Sequence, residues 1–277
     1  MLTRDEQFVT ALLESVGISA EKIPESSGLT PDLSARDANH RYLIEVKTRT
    51  DDETLARELR EKQSAYRVWP VGPTKAVVGI FQHAISQIDA RASDELRLVW
   101  VCVRSRRGGE HTLVEQIRHT LYGISLVVGG GRGTTSPVCY FFHDSIFYRY
   151  QHLDGAVITF QNRLALCLNT YSPRVEDLRR SKLGQAFSRN VLDPLQLERD
   201  GRCMIADCGL DRRNSDAVLA YVSAKYGIAN AVHFNFNEYA GFAVVNPSSV
   251  DSQEIDAMDP EIDPWFDDEP SGAPSSG

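Results

Sequence analysis

Three ionisable side chains cluster near the start of the chain: Asp32, directly after Pro31, and then Glu45 and Lys47 with one residue between them. Side chains alternate along an extended strand, so Glu45 and Lys47 leave one face and Val46 leaves the other. If Asp32 is brought opposite Glu45, two carboxylates repel unless positive charge lies between them. A hard divalent cation is the natural counter-charge. Mg²⁺ takes oxygen ligands and keeps several waters, so Asp32, Glu45 and the backbone carbonyl of Val46 are enough protein to hold it. Lys47 beside such a pair is placed to orient or help deprotonate a cation-bound water and to steady charge developing on a phosphate. The chemistry these residue types support at this spacing is activation of a cation-bound water beside a phosphate.

That chemistry requires a β-hairpin. Residues 30–37 form one arm and 41–48 the other, with turn residues Asp37-Ala38-Asn39-His40 between them. A two-residue turn centred on Ala38 and Asn39 pairs 33 with 44 and 32 with 45. Leu33, Ala35, Tyr42, Ile44 and Val46 then share an apolar face, and Asp32, Glu45 and Lys47 project from the other. Ahead of the hairpin, residues 4–16 carry Phe8, Val9, Leu12, Leu13 and Val16 at helical spacing, closed by Gly17. Thr3 and Glu6 match a capping box, which by itself accounts for Glu6. The second role open to Glu6 is to lean over the hairpin as a third carboxylate.

Pro31-Asp32, a twelve-residue gap and Glu45-Val46-Lys47, preceded by an amphipathic helix and Ser26-Ser27-Gly28, resemble the signature of the PD-(D/E)xK nuclease superfamily. The layout of about the first 50 residues is most similar to the archaeal Holliday-junction resolvase branch. The resemblance implies a restriction-endonuclease-like α/β core, a mixed β-sheet flanked by helices in the order αβββαβ, here followed by an α/β C-terminal extension. It implies Mg²⁺- or Mn²⁺-dependent hydrolysis of DNA, in defence or DNA repair. Asp32 and Glu45, with Val46, are the implied metal ligands, Lys47 the catalytic lysine and Glu6 an assisting carboxylate. Ser27 is expected near the substrate, as is Gln87, which is similar to a glutamine that some branches place by the active site.

The remaining elements follow from periodicity. Helices are expected over 53–66, 75–91 and 112–122, and a buried strand over 97–103. Arg106 and Arg107 lie in a basic, glycine-containing loop expected to contact a DNA backbone. Residues 129–133 are glycine-rich but lack the Lys-Ser/Thr of a phosphate-binding loop, and read as a loop. Stretches 138–150 and 156–169 are rich in strand formers, and their aromatic residues read as core. A basic helix is expected over 173–189, a strand over 203–206, a helix over 215–226, and strands over 231–236 and 241–245. The expected organisation is a nuclease-like core over 1–130, an α/β region over 131–245 that either completes the same domain or forms a second one, and a disordered acidic tail over 246–277.

Of 277 residues, 30 are Lys or Arg and 38 are Asp or Glu. The tail alone holds nine acids and no Lys or Arg; taking nine from 38 leaves 29 acids against 30 basic residues in 1–245. A near-neutral body permits a local basic surface for nucleic acid. Within the tail, residues 251–269 mix Ile255, Met258, Ile262, Trp265 and Phe266 with the acids, a composition suited to a protein partner. The rival function is therefore a non-cleaving nucleic-acid- or partner-binding protein on the same fold, and a homodimer is a further option. Five scattered cysteines give neither a zinc nor a disulfide spacing and read as reduced thiols. No apolar run reaches membrane length and no leader pattern opens the chain, so a cytoplasmic protein without a membrane partner is expected.

Overall fold

Residues 2–24, 28–50, 66–70, 72–91, 94–104, 110–131, 136–234, 240–244 and 263–264 are described by the structure, a computed structural model. Helix α1 (Arg4–Ser15) starts at the capping box: the Thr3 hydroxyl accepts the Glu6 N–H, and the Glu6 carboxylate accepts the Thr3 N–H. Its Val9, Leu12 and Leu13 are buried. Strand β1 (Ser19–Lys22) follows, unforeseen in the sequence because Ser-Ala-Glu-Lys shows no apolar alternation and buries only Ala20. Strands β2 (Leu33–Arg36) and β3 (Arg41–Thr50) form the hairpin, with Leu33 opposite Ile44 and Arg36 opposite Arg41, the register that the two-residue turn demands. Asp37 fixes that turn. Its Oδ1 accepts the N–H groups of Asn39 (2.7 Å) and His40 (2.8 Å), while Tyr42 donates its hydroxyl to Oδ2.

The helix expected over 53–66 lies outside the described residues except at its last position, where Tyr66 opens strand β4 (Tyr66–Pro70). Helix α2 (Lys75–Asp89) is capped by Thr74 and buries Val77, Phe81, Ala84, Ile85 and Ile88. Strand β5 (Leu96–Arg104) runs parallel to β3 from Tyr42 beside Leu96 to Thr50 beside Arg104. After α3 (Glu110–Tyr122) come β6 (Ser125–Gly131), β7 (Val138–Tyr140), α4 (Ile146–Arg149), β8 (Gly155–Phe160) and β9 (Arg163–Leu168). Then follow α5 (Val175–Arg180), α6 (Lys182–Ala186), β10 (Val191–Leu192), α7 (Pro194–Arg199), β11 (Met204–Ile205), α8 (Ser215–Tyr226), β12 (Ile228–Phe234), β13 (Ala240–Val244) and β14 (Asp263–Pro264).

The principal sheet has the order β1-β2-β3-β5-β8-β9-β10, with β14 also on β9, and mixes parallel and antiparallel pairs. It crosses position 130: β8 joins β5 in parallel, so strands of the expected C-terminal region complete the sheet that carries the hairpin. One face packs Leu43, Val99, Val101, Val103 and Ile158 against α2 and α3; the other packs Tyr42, Ile44, Leu98, Trp100 and Leu166 against α1, α5 and α6. The chain is thus a mixed α/β protein with a large mixed sheet flanked by helices. A smaller sheet, β11-β7-β6-β12, packs on α8, and β13 pairs with β4.

Four local expectations are corrected. Gly129, Gly130 and Gly131 end strand β6 instead of forming a loop, and a Cβ at Gly129 would stand 2.7 Å from the Ala229 carbonyl oxygen, so close strand approach at a bulge explains the glycine. Residues 146–149 are helical, started by the Ser145 hydroxyl on the Tyr148 N–H. The helix expected over 173–189 is broken at Ser181, whose hydroxyl caps α6 through the Gly184 N–H. In the tail expected to be disordered, Asp263 and Pro264 are extended and pair with Arg163 and Leu164; the rest of it lies outside the described residues. Tyr140, Phe141, Phe142 and Phe147 are buried core, as are four of the five free cysteines. Among the described residues no helix is long and apolar enough to cross a membrane.

Candidate active site

Asp32 sits just before β2; its carbonyl accepts the Ile23 N–H, but toward β3 the backbone pairing is taken over by side chains. The Val46 N–H donates to Asp32 Oδ2 at 2.8 Å, and the Asp32 N–H donates to Glu45 Oε2 at 3.2 Å. Each carboxylate is therefore locked by an amide of the opposing arm, which fixes both against rotation. The hairpin register alone places them opposite; these two bonds turn them toward each other. Lys47, two residues along β3, donates to Glu45 Oε1 and, at 2.7 Å, to Gln87 Oε1 on α2. Gln87 in turn donates to the Thr30 carbonyl at 3.2 Å, so one side chain ties the helix, the Asp32 arm and the Lys47 ammonium together.

Glu6 closes the capping box, and it also receives the Lys22 ammonium at 3.1 Å and interacts with the Asp32 side chain, which brings it beside the hairpin acids. Glu6, Asp32 and Glu45 form a row of acids with Lys22 at one end and Lys47 at the other. The N-terminus of α1 is held over the carboxyl ends of β3 and β5 by Asp5, which accepts from Thr48 and pairs with Arg104. Lys22, Asp5 and Thr48 were not singled out by sequence reasoning, and Arg104 entered it only as the first residue of the basic loop. Lys22 lies on a strand without alternation, and the contacts of the other three are long-range, so no local pattern marks them.

Electrostatics follow from this packing. Glu45 is fully buried, and burial, reinforced by repulsion from Asp32, pushes its carboxyl up to about 8 against the lowering effect of Lys47. Burial also raises Asp32, despite its bond from Val46 and the charge of Lys47. Burial acts to raise Glu6 as well, but there the Thr3 N–H and Lys22 outweigh it and hold the group below the ordinary range.

No protein-family model matches the chain, and no curated protein matches it.

The donor set suits a hard divalent cation. It consists of carboxylate oxygens of two opposed acids, both held up in pKa by burial. Among the described residues no group of three or more His, Cys, Asp or Glu side chains stands ready as a metal site. A cation here would draw on Asp32 and Glu45, with backbone oxygen and water completing its shell. Val46 enters through its N–H on Asp32, and its side chain is buried on the opposite face of the sheet. Of the other expected substrate contacts, Gln87 is in the cluster, whereas Ser27, Arg106 and Arg107 lie outside the described residues.

Proposed function

We propose that the chain is a divalent-metal-dependent nuclease that hydrolyses DNA phosphodiesters, in defence or repair, on a restriction-endonuclease-like core. The order α1, β1, β2, β3, α2, β5 supports the αβββαβ arrangement, with β4 as an addition paired elsewhere. The observation that carries the reading is the reciprocal lock of Asp32 and Glu45, with Lys47 held beside them by Gln87.

Asp32, Glu45 and the Val46 carbonyl would hold Mg²⁺ or Mn²⁺, which when bound supplies Lewis-acid polarisation of the phosphate and a lowered pKa for water. The chain's own groups do the rest. Glu45 would give up its proton as positive charge arrives, because the cation offsets the cost of a buried charge and, with it, the repulsion from Asp32. Lys47, fixed by Gln87, orients the attacking water and donates to the phosphoryl oxygen that gains charge.

The test is incubation of the full chain with plasmid, linear and branched DNA in Mg²⁺ or Mn²⁺, beside Lys47→Ala. Cleavage by the wild type, lost on chelation and reduced by at least about 100-fold in the variant, is the expected result. A variant as active as the wild type removes Lys47 from the mechanism. Binding of DNA by the wild type without cleavage in either metal would favour the non-cleaving alternative.

A further inference from the structure

Beyond Asp32, the carboxylate row continues to Glu6, and both oxygens of Glu6 are already engaged. Lys22 Nζ lies 3.3 Å from Oε1 and 3.1 Å from Oε2, and Oε2 also accepts the Thr3 N–H at 2.7 Å. Lys22 comes from the last position of β1, next to Ile23, whose N–H donates to the Asp32 carbonyl, so the ammonium is anchored to the strand that carries Asp32. The neighbouring acid, Asp5, is taken by Arg104 and Thr48. We infer that Lys22 is a built-in cation of the site: its ammonium holds the place beside Glu6 that a second divalent ion would need, and the site works with one ion. This rests on the nuclease reading above.

Charge matching supports the inference. Glu6, Asp32 and Glu45 in ionised form, set against Lys22 and Lys47, leave one net negative charge. A single divalent cation turns that into one net positive charge, which equals and opposes the charge of one phosphodiester. A second divalent cation would leave three positive charges within a cluster whose members are in hydrogen-bond contact, and it would have to break both the Lys22 pair and the capping box to gain Glu6 as a ligand. Lys22 is thus a positioning residue: it holds Glu6 and sets the metal stoichiometry, while Asp32 and Glu45 bind the ion.

The experiment is Mn²⁺ titration of the full chain by isothermal calorimetry and by electron paramagnetic resonance. It compares wild type, Lys22→Gln, Lys22→Met as an independent removal of the charge, and the double variant Lys22→Gln/Glu6→Gln. Far-UV circular dichroism checks that each is folded. Expected are one ion per chain for the wild type, two for either Lys22 variant, and a return to one when Glu6 is also neutralised. Two ions in the wild type, or one ion in both folded Lys22 variants, overturns the inference and leaves the Asp32–Glu45 reading standing. No ion in the wild type overturns both.

Discussion

Replacing Glu45 by glutamine should remove a specific pH dependence of stability. The folded-state pKa of Glu45 is about 8 against an ordinary 4.5, and the residue is fully buried. A carboxyl whose folded pKa is raised contributes stability that is present below the unfolded pKa and lost as pH rises toward the folded value. With about 1.4 kcal/mol per pKa unit, the loss relative to low pH is about 1 kcal/mol at pH 5 and roughly 4 kcal/mol at pH 7.5. The amide introduced by Glu45→Gln does not titrate and mimics the protonated acid, so the stability gap between variant and wild type should widen by roughly 3 kcal/mol between those pH values. Urea unfolding followed by the fluorescence of buried Trp100, with divalent ions chelated, measures this directly. His119 and His143, which burial holds down at about 3 and about 4, push the other way: their stability is present above pH 6.5 and lost as pH falls. They are common to both proteins and cancel in the difference. Added Mg²⁺ should release most of a proton per ion at pH 7.5, seen as a buffer-dependent binding enthalpy in the wild type. A gap that stays flat from pH 5 to 7.5 would refute the strain assigned to Glu45.

Gln87→Ala strips Lys47 of an acceptor and the Thr30 carbonyl of its donor; cleavage should fall at least about tenfold for a stability cost near 1 kcal/mol, and unchanged kinetics would show that Lys47 needs no support from α2. Thr3→Ala removes the α1 cap and should cost about 1 kcal/mol in urea unfolding, with no loss expected only if Glu6 is held by Lys22 alone. Gly123 ends α3 at φ +58°, where an added Cβ would lie 2.1 Å from the His143 carbonyl oxygen. Gly123→Ala should therefore cost about 2 kcal/mol or more, and an unshifted denaturation midpoint would contradict the close approach.

The hairpin was legible because two local signals agree: apolar alternation in Leu33, Ala35, Tyr42, Ile44 and Val46 selects the face, and Asp37 selects the register. A one-residue slip would have put Asp32 and Glu45 on opposite faces. The capping box at Thr3 and Glu6 was equally local. What escaped the sequence is long-range. That strands β8 and β9 extend the central sheet across position 130 was one of two options the sequence left open, because β8 pairs with β5, far back in the chain, and nothing within 156–169 announces that neighbour. Gln87 was expected by the site only through the resemblance; on its residues alone α2 shows a polar group at a stripe edge, which the fold delivers to Lys47. Lys22 carried no signal at all, because an edge strand with a single buried alanine looks like a loop until β2 pairs with it. The break at Ser181 was hidden by helix-forming residues on both sides; its hydroxyl competes successfully for the Gly184 N–H and starts a new helix there.

Anomalous scattering from crystals soaked in Mn²⁺ tests the central claim most directly. The account predicts a peak between the facing oxygens of Asp32 and Glu45, within reach of the Val46 carbonyl, and its disappearance in Glu45→Gln crystals. A peak elsewhere, with these two carboxyls still bonded only to the opposing amides and to Lys47, would contradict it.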